Sequence, residues 1–291
     1  MFCARKPVKY AMVTQLSAFH SVNRLCSLLN ISTRGYWAWR GRAPCARKQQ
    51  DDLLITRMIT LHQDSRGTYG IKRLQSDLKD ELRFHGKTRL SRLMKLAGLK
   101  ATNQPRYKMT TNSRHDYPIA PNLLARDFNP FSINIAWVSD ITYIKTLEGW
   151  LYLATVLDLY SRKIIGWSLS ARLKTPLIID ALNMAVKQRQ AGKKVIIHSD
   201  RGSQYASHSY QTELGKHGLI CSMSGKGCCY DNAVMESFYH TLKTELMRGK
   251  VFITRAEAIN AIFDYIEVFY NRRRKHSTLG YLSPVDYESA A

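Results

Sequence analysis

Three carboxylates stand apart from the other acidic residues of this chain. Asp140 lies in WVSDITYIKT, Asp200 closes the apolar run KKVIIHSD ahead of the loop RGSQY, and Glu236 sits in DNAVMESFYHTLKTEL. Between Asp140 and Asp200 lie 59 residues, and between Asp200 and Glu236 lie 35. Taken singly, Asp200 reads equally well as a cap for the adjoining turn. Taken together, three unpartnered carboxylates would repel and raise one another's pKa unless cations lay between them. Mg²⁺ prefers hard oxygen ligands and commonly keeps positions open for phosphate oxygens and water. Two such ions about 3.5–4 Å apart can clamp the attacking and leaving oxygens of an in-line phosphoryl transfer. One chemistry these residues could do is therefore phosphoryl transfer with two Mg²⁺ ions, or Mn²⁺ in their place, on Asp140, Asp200 and Glu236; the other reading of the pattern is that each acid is structural. The chain offers no Cys-x-x-Cys pair and no His/Cys zinc spacing.

These residues converge only if the right elements carry them. INIAWVSDITYIKT, WLYLATVLDLYS and KIIGWSLSA read as three consecutive strands, separated by the short turns LEG and SR. A helix (TPLIIDALNMAVKQRQ), a strand (KKVIIHSD), a helix around SHSYQTELGKHG and a short strand (LICSM) come next. Helices are expected from Asp231 to about Gly249 and from Arg255 to about Tyr270. Antiparallel strands followed by alternating helices and strands imply a mixed-sheet α/β fold. Asp140 then lies mid-strand, and Asp200 ends a strand where chemistry gathers in open sheets. Glu236 shares a helical face with Asn232, Tyr239, His240 and Lys243. Glu245, nine positions on, faces away at 3.6 residues per turn. Asp158 reads as a turn residue, Asp231 as an N-cap or first-turn acid, and His198 as a strand-end packing residue.

Charge points to a polyanionic partner. Lys plus Arg number 44 against 22 for Asp plus Glu, a net +22. Residues 1–127 hold 24 basic against 8 acidic residues, net +16, whereas residues 128–291 hold 20 against 14, net +6. No apolar run approaches the ~20 residues that span a bilayer, and six scattered cysteines suit a reduced, cytoplasmic setting. Residues 14–40 suggest two helices, TQLSAFHSVNRLCSLLN and TRGYWAWRGR, with Ser32 a possible cap. Residues 50–100 carry three helical patterns joined by Gly-containing turns, an arrangement like a helix-turn-helix unit. Residues 101–127 show no period, three prolines and many polar residues, and read as a linker.

The blocks WVSDITYI, LDLYSRKIIGW, HSDRGSQY, SGKGCCYDNAVMESFYHTLKTEL and FYNRRRKHSTLGYLSPVDY, in that order, resemble an insertion-sequence transposase of the IS-three type. The likeness is to the second-frame OrfB product with its DDE integrase core, and covers almost the whole chain. The 35-residue gap before Glu236 is that family's spacing. The resemblance implies an RNase H-like mixed five-stranded sheet with flanking helices, preceded by an all-α helix-turn-helix-like region. It also implies a two-Mg²⁺ strand-cleaving and strand-joining enzyme acting on double-stranded DNA, both element ends and target. Its segments would be 1–48 (N-terminal helices), 49–104 (DNA-binding), 105–127 (linker), 128–249 (catalytic core) and 250–291 (C-terminal helical extension). A homo-oligomer on DNA and an OrfA partner, or an OrfA–OrfB fusion, belong to the same expectation.

Expected DNA contacts are Lys243, Arg201 and Asn232 beside the triad, Arg272, Arg273 and Arg274 in the basic C-terminal run, and Lys72 and Arg73 in the helical unit. Two rival readings differ in one feature each. A bare RNase H-like nuclease has no need of the basic N-terminal half or the YNRRRKHSTLGYLSP segment. A non-catalytic regulator of its own element has no need of an intact triad.

Overall fold

The β-branched run of residues 136–146 forms the central strand of a five-stranded sheet. The computed structural model describes residues 5–81, 85–101, 118–190, 192, 194–225, 229–247 and 249–290. The strands are β1 (Ala136–Thr146), β2 (Gly149–Asp158), β3 (Ile164–Ser170), β4 (Ile196–Ser199) and β5 (Ile220–Met223), in the order β3-β2-β1-β4-β5. The first three are antiparallel hairpin neighbours; β4 and β5 join in parallel. The α/β mixed sheet expected from the sequence is thus observed. Crossover connections demand the intervening helices α7 (Thr175–Arg189), α8 (Ser203–Ala206) and α9 (His208–Lys216).

Alternation along the strands feeds two cores. On one face Trp137, Val156, Ile165 and Ile197 pack with Leu177, Ile178, Ala181 and Leu182 of α7 and with Tyr205 and Tyr210. Gly166 is required here, because a Cβ on it would lie 2.1 Å from the Ala181 carbonyl oxygen and 2.7 Å from the Ala185 nitrogen. On the other face Ala136, Val138, Leu153 and Leu157 meet α10 (Ala233–Leu242) and α11 (Arg255–Phe263). Both helices run into π-helical turns, Lys243–Met247 and Asp264–Tyr270. Each places an extra residue in the turn and shifts the azimuth of the residues beyond it.

Two spans differ from the sequence expectation. Residues 250–291 do not form an extension: Ala258, Ile262, Tyr265, Ile266, Phe269 and Tyr270 are buried in the second core. The last helix, α12 (Pro284–Ser289), is held by Glu288, which bonds Ser161 and pairs with Lys163 and Arg189. Of the expected linker, 102–117 lie outside the described residues, while 118–127 are bound to the core. Ser222 accepts from the Leu123 nitrogen at 2.9 Å, and Asp231 accepts from Asn122 (3.0 Å) and Arg126 (2.8 Å). The polar character read as linker is the set of groups that makes these bonds.

Residues 5–57 form a separate unit. The helices α1 (Lys6–Leu16), α2 (Val22–Leu28) and α3 (Thr33–Arg40) surround Val13, Leu25, Cys26 and Tyr36. Where one helix was expected over 14–30 there are two elements, because Ser21 caps α2 by accepting from the Arg24 nitrogen at 3.4 Å. Ser32 caps α3 as expected, with the Gly35 nitrogen at 3.3 Å. Helix α4 (Ala46–Asp64) runs out of this unit. Beyond it α5 (Ile71–Glu81) and α6 (Lys87–Leu96) bury Leu74, Leu78, Leu90 and Leu93 at helical spacing.

The α5–α6 pair belongs to the same compact unit as the sheet. Tyr69 donates to the Arg273 carbonyl at 3.1 Å and accepts from the Lys275 nitrogen at 2.8 Å. Lys275 pairs with Asp77 (2.7 Å) and Asp80 (2.8 Å). No described helix is long and apolar enough to cross a membrane.

Candidate active site

The β1–β4 register sets the site. Ala136 pairs with Ile196, Trp137 with Ile197 and Val138 with His198. Asp140 lies two residues past Val138 within β1, and Asp200 lies two past His198, just beyond the end of β4, so both aspartates come to the same end of neighbouring strands. Asp140 shares its strand face with Ala136 and Val138, the face covered by α10. Burial first, and the negative charge of Asp200 next, push the Asp140 carboxyl well above the usual carboxylate range. Its Oδ1 accepts from the Ile141 nitrogen at 2.7 Å, which acts the other way, and Glu236 adds a smaller push upward. Asp200 is fixed by an Asx turn in which Oδ1 accepts from the Gly202 nitrogen at 2.9 Å. Gly202 leaves that carboxylate uncrowded: a Cβ on it would sit 3.0 Å from the same Oδ1.

Glu236 stands on the exposed side of α10, and its carboxyl is raised by partial burial. The helix is pinned to the strand one turn later. Tyr239, 6% exposed, donates its hydroxyl to the Asp140 carbonyl at 2.5 Å and lies 2.8 Å from Thr155 Oγ1 on β2. A second phenol supports the strand from the other side: Tyr205 OH and Ser139 Oγ are 2.9 Å apart, both buried. Both tyrosines lie inside motifs quoted from the sequence, yet nothing in their spacing announces the bond each makes. Only the strand–helix register does.

Lys243 was expected two turns beyond Glu236, as a solvated or phosphate-reaching side chain. It heads the π-helical turn and lies half-buried, Nζ 5.0 Å from the centre of the Tyr143 ring. Burial lowers its pKa, and the Asp140 charge partly restores it. Glu245 does face away, as expected, and its partner is Arg274 rather than Lys243.

The other expected DNA contacts divide. Lys72, Arg272 and Arg273 are exposed. Arg201 is partly buried, its Nε donating to the Ser224 carbonyl at 2.6 Å. Asn232 is buried rather than presented; its amide nitrogen lies 3.5 Å from the Ser139 carbonyl, and its side-chain oxygen has no protein partner. Arg274 requires a correction. It is 5% exposed, its Nε and Nη2 donate to Glu245 at 2.8–3.1 Å, and that ion pair holds it inside the fold instead of on the exposed surface with Arg272 and Arg273. Arg73, 24% exposed in its side chain, lies 3.9 Å from the same carboxylate.

Two further acids behave structurally. Asp158, fully buried, accepts from the Asn134 and Tyr160 nitrogens at 3.0 Å each. Asp231 caps no helix; it accepts from Asn122, Arg126 and the Gly225 nitrogen, and Arg126 first among these holds its carboxyl low. His198 is enclosed, as expected of a packing residue, between Ser222 (2.8 Å) and Ser224 (3.2 Å).

Among the described residues no ready-made cage of three or more His, Cys, Asp or Glu side chains is present. The donor set nonetheless fits a hard cation. Asp140 and Asp200 are all-oxygen ligands whose mutual repulsion a divalent ion would relieve. Glu236 lies on the flank of that pair.

An integrase core domain model matches residues 133–229 and a second one residues 236–291; an HTH-like domain model matches residues 49–107. Transposase InsF for insertion sequence IS3A of Escherichia coli (strain K12) is 40% identical over 285 residues, covering 97% of this chain and 99% of that protein. The insertion element IS600 uncharacterized 31 kDa protein of Shigella sonnei is 43% identical over 263 residues, 90% of this chain and 97% of the other. Among solved structures, a simian T-cell lymphotropic virus intasome in complex with PP2A regulatory subunit B56 gamma is 15% identical. That match covers 79% of this chain and 74% of the other at a TM-score of 0.47.

Proposed function

The chain belongs to the IS-three family of insertion-sequence transposases, and from that premise we propose that it cuts DNA at the ends of a mobile element and joins those ends to target DNA. Asp140, Asp200 and Glu236 are the residues assigned to this chemistry, holding two Mg²⁺ ions. The observation that carries the assignment is that Asp140 and Asp200 follow paired residues of adjacent strands, Val138 and His198, by two positions each, with the Asp140 carboxyl driven upward by burial and then by the charge of Asp200.

The bound ions would lower the pKa of an attacking water or hydroxyl and offset charge on the leaving oxygen. The chain's own residues do the rest. The Ile141 and Gly202 nitrogens fix the rotamers of the two aspartates, so neither reorganises during a turnover. Tyr239 holds the helix of Glu236 against β1. Lys243 offers a point charge to a phosphate near the pair. Lys72, Arg272 and Arg273 are proposed backbone contacts; Arg201, Asn232 and Arg73 act closer in, from partly or fully buried positions. Assembly as a homo-oligomer on DNA, with an OrfA partner or as a fusion to it, belongs to the same reading, as does action in the cytoplasm.

The test is incubation of purified protein with linear DNA bearing its element's ends. Cleavage and joining are expected with Mg²⁺ or Mn²⁺ and not in EDTA. Asp140→Asn, Asp200→Asn and Glu236→Gln should each lower the rate by at least about 10²-fold while leaving DNA affinity near that of the native chain. Cleavage at full rate in chelator, or by any one of the three variants, would sink the corresponding part of the proposal.

A further inference from the structure

A second polar cavity, of about 500 Å³, lies round α10 from the acidic centre. Its helical wall is Ala233, Val234, Ser237, Phe238 and Thr241. At about 100° per residue this stripe is centred roughly 130° from Glu236, so a single helix separates the two sites. The remaining wall brings Arg73 from the helical unit, Arg162 from the β2–β3 turn, and Arg274 and His276 from the C-terminal segment. Phe128 and Tyr270 add aromatic surface, and the exposed Ser277 and Thr278 lie at the rim.

The cavity is electropositive by construction. Three guanidiniums reach it and no carboxylate lines it. Glu245 lies behind Arg274, and Asp158 acts on Arg162 from the buried side. Burial and then Arg274 lower the pKa of Arg73, and burial and all three arginines hold His276 well below its ordinary value. Arg73 and His276 therefore both feel the positive charge of their arginine neighbours, which Glu245 and Asp158 offset from behind and not from within the cavity. His276 is kept as a neutral acceptor facing Arg274 Nη1 at 3.3 Å, edge-on to the Tyr270 ring at 4.9 Å. Arg162 is braced by the Phe128 carbonyl at 2.9 Å, so its fork is preorganised. Planar, braced guanidiniums beside aromatic surface make a site for a phosphate ester.

We propose that this cavity is a second phosphate-binding site, which seats a backbone phosphate of the DNA strand that crosses α10 from the acidic centre. The assignment rests on the DNA-processing reading given above, but it can fail alone. The volume falls in the ~300–1,000 Å³ range of small-ligand sites, enough for a phosphate with part of its sugar or base against Phe128 and Tyr270. Glu245 acquires a purpose in this arrangement: it keeps one of three close arginines from destabilising the fold before the anion arrives.

The experiment introduces charge at the rim, on the exposed side chains of Ser277 and Thr278. Full-length Ser277→Asp, Thr278→Asp and Ser277→Lys are compared with the native chain, alongside Arg162→Gln. Fluorescence anisotropy is recorded on a labelled oligonucleotide across a salt series, and thermal unfolding with and without pyrophosphate. The aspartate variants and Arg162→Gln should weaken DNA binding about fivefold or more, and the slope of log K against log salt should fall by about 0.9, one phosphate contact. Ser277→Lys should bind at least as tightly as the native chain. Pyrophosphate should raise the unfolding temperature of the native chain and not of the aspartate variants. Native DNA affinity in the aspartate variants and Arg162→Gln overturns the proposal. A pyrophosphate response lost in those variants without any change in DNA affinity also overturns it, assigning the cavity to a free phosphate compound. Failure of the native chain to bind DNA at all would remove the parent reading instead.

Discussion

Removing one oxygen atom from Tyr239 isolates the bond that fixes Glu236 to the strand of Asp140. In Tyr239→Phe the ring keeps its packing against Phe238 at 5.3 Å between centroids. The Asp140 carbonyl loses its 2.5 Å donor and Thr155 Oγ1 its 2.8 Å partner. The phenol's pKa is pushed well up by burial and by Asp140, so it is a donor at any working pH and the loss applies throughout. Leaving such groups buried and unpaired costs about 1–3 kcal/mol, tolerable against the ~5–15 kcal/mol of a typical domain. In a unit of this size that lowers the unfolding temperature by about 2–4 °C per kcal/mol. The larger effect should fall on chemistry. A reacting group displaced by about 1 Å can lose up to ~10²-fold in rate, so single-turnover cleavage at saturating DNA should fall about 10- to 100-fold. The Mg²⁺ concentration for half-maximal rate should rise with it. Urea titration gives the stability term and rapid-quench cleavage the rate term. A destabilised variant that cleaves at the native rate would make the Tyr239 bond purely structural and refute its positioning role.

Burial holds His198 at about 4 against 6.5 when free. Its contribution to stability is complete above pH 6.5 and is lost as the pH falls toward 4, by up to about 3 kcal/mol. Urea curves between pH 4.5 and 7 should show this slope, and His198→Gln should flatten it; an unchanged slope would assign acid sensitivity elsewhere. Glu245→Gln strands the Arg274 charge and should cost about 3–5 kcal/mol, while Glu245→Leu with Arg274→Met should recover most of that loss. Denaturant midpoints for single and double variants decide it, and equal losses would refute a buried ion pair. Lys243→Ala should slow strand joining more than it weakens DNA binding, and Lys243→Arg should regain part of the rate. A Lys243→Ala joining rate equal to that of Lys187→Ala, a control at an exposed lysine in the last turn of α7, would leave Lys243 a packing residue on Tyr143.

The strands were legible because β-branched, unbroken runs such as ITYI and VIIH belong only in a covered sheet. The three proposed carboxylates could be singled out in the sequence because the family-like blocks carry them at that family's spacing, one in a strand, one just past a strand and one near a helix start. Burial of individual basic residues was not legible. In NRRRKHS nothing local distinguishes Arg274 from Arg272 and Arg273; the difference is made by Glu245, 29 residues earlier and buried within a π-helical turn. That turn also escapes pattern reading, since a 3.6-residue period assumes no inserted residue. The linker was misjudged at residues 118–127 for a related reason. Polar residues read as solvent-loving, yet Asn122 and Arg126 spend their polarity on Asp231. Helix α1 and the break before α2 depend on Ser21 as a cap, one serine among several in that stretch.

The sheet order has a consequence for what sets the position of Asp140. Strand β4 stops at Ser199, so from Ser139 to Lys145 no described strand pairs with β1 on that side; the edge closes again only at Thr146, which bridges to Phe252. Side chains of the α10 segment meet the start of that stretch instead: Tyr239 donates to the Asp140 carbonyl, and the Asn232 amide nitrogen lies 3.5 Å from the Ser139 carbonyl. Asp140 is therefore held by a strand on one side, β2, and by a helix on the other. A displacement of that helix would move Asp140 and Glu236 together.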